Sequence, residues 1–290
     1  MPRSATALVG SVLLLATVLG GVARAGRLCS AREATITGTD DDDVIRGTPG
    51  NDVILALDGD DVVNGGGGND RICAGAGGDS IKAGSGRDRI IGGSGADTIS
   101  GGAGNDRVWA GGGNDSVSGN GGDDQLVGLG GADVLDGGRG RDEAVYVFAR
   151  GGVRASLSSH RAMGEGADIL LRIEDLEGTP YDDVLVGDAG SNHIDGGNGS
   201  DVVSGGDGGD HLIGGRGDDT LRGGVGADVL DDSLRVAQGV FPDTGEDRLA
   251  GGSGDDRLLA VDDVDGNDTL AGGPGDDACS ADAGDRRSGC

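Results

Sequence analysis

Residues 92–109 read G-G-S-G-A-D-T-I-S-G-G-A-G-N-D-R-V-W, two nine-residue units end to end. Glycine holds the first, second and fourth places, aspartate the sixth and an aliphatic residue the eighth. The frame extends in both directions without a slip over residues 38–145, giving twelve consecutive nonapeptides. The sixth place is aspartate in every one: Asp43, Asp52, Asp61, Asp70, Asp79, Asp88, Asp97, Asp106, Asp115, Asp124, Asp133 and Asp142. The eighth is Ile, Val or Leu from Ile45 to Leu135 and thins to Ala144 in the last unit, while the fourth is glycine everywhere except Asp41. Self-similarity at a short fixed period means that each unit buries its apolar residue against its neighbours, so this stretch predicts a solenoid.

Glycine lets the chain take positive φ, and three glycines per unit predict a tight six-residue turn whose carbonyls converge. The remaining three residues are long enough for a short strand, with the eighth side chain facing inward as one rung of a thin apolar column. Aspartates stacked at strand spacing, about 4.8 Å, would repel one another. A cation between them is therefore required. Carboxylate and carbonyl oxygens, with neither His nor Cys at the repeating places, are the ligand set of a hard ion, and a flexible oxygen cage suits Ca²⁺ better than Mg²⁺.

At these residues the chain resembles the RTX, or hemolysin-type, nonapeptide G-G-x-G-x-D-x-U-x. The resemblance implies an all-β fold, a right-handed parallel β-roll with two nonapeptides per coil, and Ca²⁺ held between turns by sixth-place aspartates and turn carbonyls.

The period is interrupted over residues 146–177, where Tyr146 and Phe148 are followed by alternating stretches. Residues 169–177 are back in frame, with Leu176 at the aliphatic place. Similar interruptions in RTX domains imply a β excursion on the same solenoid, a binding loop being the alternative. From residue 178 six units return with Asp183, Asp201, Asp210, Asp219 and Asp228 at the sixth place and Asn192 substituting once. Two further pairs, carrying Asp247 with Asp256 and Asp268 with Asp277, are offset by insertions at 232–241 and 260–262, which leaves their stacking open. The second segment is thus read over residues 178–280, with a C-terminal cap at 281–290.

Residues 1–25 carry Arg3, an apolar run and Ala23-Arg24-Ala25, the pattern of a cleavable secretory signal peptide, and the run is too short for a membrane span. RTX proteins more commonly leave by an uncleaved C-terminal signal, so secretion is here an expectation from the N-terminus. Residues 26–37 are read as an N-terminal cap, with Ala34 where the aspartate would stand. In a secreted chain the four cysteines are expected to pair as Cys279–Cys290 and Cys29–Cys73.

Composition agrees with a cation-dependent fold. The net charge of −28 becomes −30 once Arg3 and Arg24 are removed with the leader, and 66 glycines with 2% aromatics would otherwise describe a disordered chain. If each ion joins alternate units, about fourteen Ca²⁺ ions nearly cancel that charge. The mature chain is therefore expected to be disordered without calcium and to fold when it is supplied. Such acidity argues against nucleic acid as a partner. Outward positions carry Arg71, Arg89 and Arg107, able to screen nearby aspartates, and Trp109 at an exposed ninth place.

No H-E-x-x-H, G-x-S-x-G or P-loop is present, and His160, His193 and His211 stand alone. The favoured reading is a non-enzymatic, secreted calcium-binding module acting on an extracellular matrix, polysaccharide or cell-surface partner. The alternative is a polysaccharide hydrolase or lyase, with Asp123 and Asp124 as its acidic pair. An ice-binding face would need a regular Thr or Asn row, which the mixed seventh and ninth places do not supply.

Overall fold

The computed structural model describes residues 34–236, 239–241, 245–260, 268–282 and 284–290. The stretch read as a signal peptide and most of the expected N-terminal cap, Cys29 included, lie outside the described residues, as do parts of both C-terminal insertions.

Every regular element among the described residues is a strand. The fold is a parallel β-roll, and among the described residues no helix is long and apolar enough to cross a membrane. Successive nonapeptides deliver strands alternately to two sheets. Odd-numbered units of the first array build a 15-stranded sheet and even-numbered units a 14-stranded one. We call these the odd and the even sheet. Each residue pairs with its counterpart one coil on, Ile72 with Ile90 in the even sheet and Ile81 with Ile99 in the odd.

The expected three-residue strands are too short. The strands Arg89–Ser94 and Thr98–Ala103 each run six residues, from the seventh place of one unit through the third place of the next. The true turn is only the fourth to sixth places. Alternation along the longer strand buries the eighth place and the following first place, so Ile90 and Gly92 face inward while Arg89 and Ser94 face out. The core is therefore two columns, Ile/Leu/Val beside Gly/Ala, as with Ile54 and Ala56, both at 0% exposure. Trp109, read as exposed, is half-buried between its neighbours Ile91 and Val127 on the even sheet.

The interruption keeps more of the roll than its sequence suggests. Strand Ala167–Leu171 stacks on Val134–Arg139 with Leu135 opposite Leu170, and Asp175–Glu177 stacks on Glu143–Val145. The excursion itself is the pair Arg154–Ser156 and Arg161–Met163, inserted in the odd sheet between Ala167–Leu171 and Val184–Val186; Arg161–Met163 runs antiparallel to both its neighbours, while Arg154–Ser156 pairs parallel with Val184–Val186. Its inward side chains Val153, Ala155, Leu157 and Ala162 join the core.

The last units do stack. Arg248–Ser253 pairs with Thr220–Val225, Thr269–Ala271 with Arg248–Ser253, and Arg286–Ser288 with Thr269–Ala271, so the expected cap continues the odd sheet. Cys279 and Cys290 form a disulfide across this end with a Cα–Cα distance of 5.8 Å, and no described cysteine is free.

Candidate metal centre

A sixth-place aspartate ends the turn and points into the roll. Asp70, Asp88, Asp97 and Asp106 are each at most 2% exposed. One oxygen of each carboxylate is committed to the stack: Oδ1 accepts the main-chain N–H of the aspartate one coil before. Asp79 N–H donates to Asp97 at 2.9 Å and Asp88 N–H to Asp106 at 2.8 Å. The other oxygen is not. Oδ2 of Asp61, Asp70, Asp79, Asp88, Asp97, Asp106, Asp115, Asp124, Asp133 and Asp142 is buried without a hydrogen-bond partner, as are those of Asp201, Asp210, Asp228, Asp256 and Asp277. A buried charged oxygen without a partner is costly, and here the cost recurs coil after coil.

Main-chain carbonyls approach several of these oxygens. The point where a β-carbon would stand on Gly92 lies 2.4 Å from both Asp97 Oδ2 and the carbonyl oxygen of Ala110, one coil on. At the second and fourth places, carbonyls aim along the stack at the next turn: a β-carbon on Gly93 or Gly95 would lie 1.9 or 2.0 Å from the Gly75 or Gly77 oxygen. Those positions have φ of 127° and 123°, which glycine alone takes without strain. The cradle is all oxygen and anionic. It fits a hard divalent cation and offers nothing to a softer one.

The carboxylates respond to burial. Desolvation, reinforced by neighbouring aspartates and opposed by the main-chain hydrogen bond, pushes Asp97 and Asp106 up to about 7 and Asp201 to about 8. Each calls for neutralisation, by a proton or a cation.

A family profile described as the RTX calcium-binding nonapeptide repeat (4 copies) matches residues 37–72, 74–108, 109–144, 177–212, 204–231, 243–260 and 261–287. The chain belongs to this RTX repeat family. A search of curated protein sequences returns no match. The repeats are calcium-binding ones, and the oxygen cradle of this roll fits Ca²⁺.

The RTX aspartates form two rows, one per turn edge. On the odd edge Asp43, Asp61, Asp79, Asp97, Asp115 and Asp133 are linked Oδ1 to N–H, and the row continues to Asp168 at 3.1 Å. It restarts at Asp183, whose Oδ1 takes the Val153 N–H, and passes through Asp201, Asp219, Asp247 and Asp268 to Asp285. On the even edge Asp52, Asp70, Asp88, Asp106, Asp124 and Asp142 lead to Glu174, whose carboxylate accepts the Asp142 N–H at 2.8 Å. Beyond Asn192 that row resumes with Asp210, Asp228, Asp256 and Asp277.

Three predicted ligands differ from the rest. Asp43, Asp52 and Asp183 belong to units with threonine at the second place, and Thr39, Thr48 and Thr179 donate both their N–H and their hydroxyl to those carboxylates at 2.6 to 3.0 Å. Each array thus opens on a coil whose second oxygen is capped internally. Asn192 likewise accepts the Asp188 N–H and donates to the Glu174 carbonyl. Asp168, Glu174 and Asp285 extend the rows but went unread in the sequence. The spacing to Asp285 is 17 residues rather than 18, and Glu174 ends a turn of ordinary length, Arg172-Ile173-Glu174, but follows Asp168 by six residues rather than nine because the strand before it stops at Leu171. At Asp168 the second oxygen takes the Tyr146 hydroxyl at 3.3 Å.

The pair Asp123 and Asp124 is split between faces. Asp124 is buried in the even row, while exposed Asp123 accepts the Arg141 N–H at 3.0 Å.

Proposed function

We propose that this protein is a secreted, non-enzymatic module whose two arrays fold on binding several Ca²⁺ ions and then serve as a rigid structural or interaction element outside the cell. The observation that carries it is the repeated buried Oδ2, without a hydrogen-bond partner, facing a carbonyl of the next coil. Ca²⁺ bound there would supply the positive charge that lets carboxylates stack at strand spacing. Asp61, Asp70, Asp79, Asp88, Asp97, Asp106, Asp115, Asp124, Asp133 and Asp142 would hold it in the first array. Asp201, Asp210, Asp219, Asp228, Asp247, Asp256, Asp268 and Asp277 would do so in the second, and the threonine-capped Asp43, Asp52 and Asp183 close the array ends. Without the ions, one aliphatic residue per nine does not offset the ordering entropy, so binding energy becomes folding energy. Release into calcium-rich surroundings would then set the chain rigid after export.

The test is far-UV circular dichroism of the mature chain titrated with calcium. A β spectrum that develops with calcium supports the reading. A full β spectrum in chelator, or the same spectrum restored by monovalent salt alone, refutes it.

A further inference from the structure

We propose that the outer face of the even sheet in the first array binds an acidic oligosaccharide, laid along the roll axis with its carboxylates on a ladder of arginines. This rests on the calcium reading, since it needs the roll assembled, and it gives the partner left open there a chemistry and a place.

The ladder follows from the register. Arg71, Arg89 and Arg107 hold the seventh place of successive even coils and pair directly, Arg71 with Arg89 and Arg89 with Arg107. At Arg89 and Arg107 that sets like charges one strand spacing apart, about 4.8 Å, an arrangement that destabilises a sheet unless an anion lies across it. Acidic partners are plentiful, with 51 Asp and Glu against 23 Lys and Arg. Yet among the described residues Arg87, Arg89 and Arg107 make no ion pair, whereas Arg141, Arg150 and Arg172 each have one.

Arg87, Arg89 and Arg107 line an open cavity of about 460 Å³, together with Arg141, Asn105 and Gln125. Of the acids around it, three are buried with Oδ2 turned to the calcium row and three hold neighbouring groups. Asp88, Asp106 and Asp124 belong to the inner row, Asp175 holds Arg141 through two 2.7 Å bonds, Glu143 accepts from Gln125 at 2.7 Å, and Asp123 accepts the Arg141 N–H. The anion-binding capacity that remains belongs to Arg87, Arg89 and Arg107.

Two residues farther along the same strands runs an apolar row, with Ile91 opposite Trp109 and Trp109 opposite Val127. A planar indole beside planar guanidinium groups suits a ligand with an apolar ring face and a carboxylate at its edge. A uronate sugar has both, and one sugar ring is close in length to one strand spacing. A bare polyphosphate offers no ring face to the indole and would meet the acidic remainder of the surface over a longer reach. The odd sheet has no such track: its matching seventh places are Ser80, Thr98 and Ser116, and its ninth places Lys82, Ser100 and Ser118.

Trp109 is the sole tryptophan, so its fluorescence reports the site directly. The calcium-loaded full chain is titrated with a short uronate oligomer, a neutral oligomer of the same linkage, and polyphosphate of matched charge. The expected result is a saturable fluorescence change with the uronate oligomer and none with the neutral one. In the pair Arg89→Gln with Arg107→Gln, affinity falls roughly tenfold or more per arginine, with the calcium-induced circular dichroism unchanged. Unchanged affinity in that variant overturns the proposal, as do equal binding of polyphosphate and a folded wild-type protein that ignores uronate. Absence of calcium-induced structure overturns the calcium reading instead, and uronate binding that persists there supports the arginine site by itself.

Discussion

The main-chain N–H of Asp79 donates to Oδ1 of Asp97 at 2.9 Å, so the residue whose Oδ2 is buried without a hydrogen-bond partner also holds the backbone of the preceding coil. Two substitutions at Asp97 separate these roles. Asp97→Asn keeps an acceptor for the Asp79 N–H and loses the charge, so calcium affinity is expected to drop at neighbouring sites while the spectrum of the loaded protein stays intact. Asp97→Ala also leaves a buried N–H unpaired, at a further cost of about 1–3 kcal/mol. Because solenoid stability is a sum of neighbour terms, distant coils should be untouched in both. Calcium isotherms and urea unfolding of the two variants check this, and an all-or-none loss of structure in Asp97→Asn would contradict it.

The same relationship marks what the sequence made legible. Aspartate at the sixth place and an aliphatic residue at the eighth define the roll, and both keep their roles wherever the period holds. What a fixed period cannot register is a change in the number of residues from one turn acid to the next. Asp285 stands one residue early, and the turn ending in Glu174 has lost its glycines, yet both strands stack in register because only strand alternation decides which side chain faces in. The threonine caps were hidden for a different reason. Thr39, Thr48 and Thr179 occupy a place where glycine is the rule, and only the folded turn places their hydroxyls against the carboxylate.

Two glycines on the even sheet give a paired test of the turn. A β-carbon on Gly93 would lie 1.9 Å from the Gly75 oxygen at φ 127°, whereas one on Gly112 meets nothing within 4 Å. Gly93→Ala should therefore destabilise the calcium-loaded protein by about 1–3 kcal/mol and weaken the adjoining site. Gly112→Ala should stay within about 0.5 kcal/mol of wild type. Equal melting temperatures for the two would show that the carbonyl direction is not what fixes glycine there.

Acidification should act in opposite senses on the calcium-free and calcium-loaded protein. In the calcium-free roll, burial raises Asp70 and Asp228 to about 6 and Asp97, Asp106 and Asp142 to about 7, against an unfolded value of about 3.9. Between about pH 4 and 7 the folded chain then binds more protons than the unfolded one, so stability without calcium rises as pH falls through this window and is lost as pH rises through it. Calcium competes with protons for the same oxygens, so its affinity should fall over the same range. Circular dichroism of calcium-stripped protein at pH 5 and pH 8 checks the first half, and calcium isotherms at the same pH values the second. A stripped sample no more ordered at pH 5 than at pH 8 would sink it.

Chelation should not melt the chain evenly. Around the interruption the protein supplies its own groups where the arrays leave Oδ2 open: Tyr146 caps Asp168 at 3.3 Å, Arg141 clamps Asp175 through two 2.7 Å bonds, Arg172 pairs with Asp136, and Thr179 caps Asp183. The apolar content is also denser there, since Val153, Ala155, Leu157, Ala162, Leu170, Ile173, Leu176 and Leu185 are all buried within one short span. Local stability follows such contacts, so opening free energies should differ along the roll. Hydrogen exchange read by mass spectrometry in excess chelator is expected to show protection over 153–157, 161–171 and 184–186, and fast exchange over the regular coils at 80–121. Restoring calcium should then extend protection outward from the interruption into both arrays. Uniform exchange along the whole chain in chelator would mean that the interruption depends on calcium as fully as the repeats do.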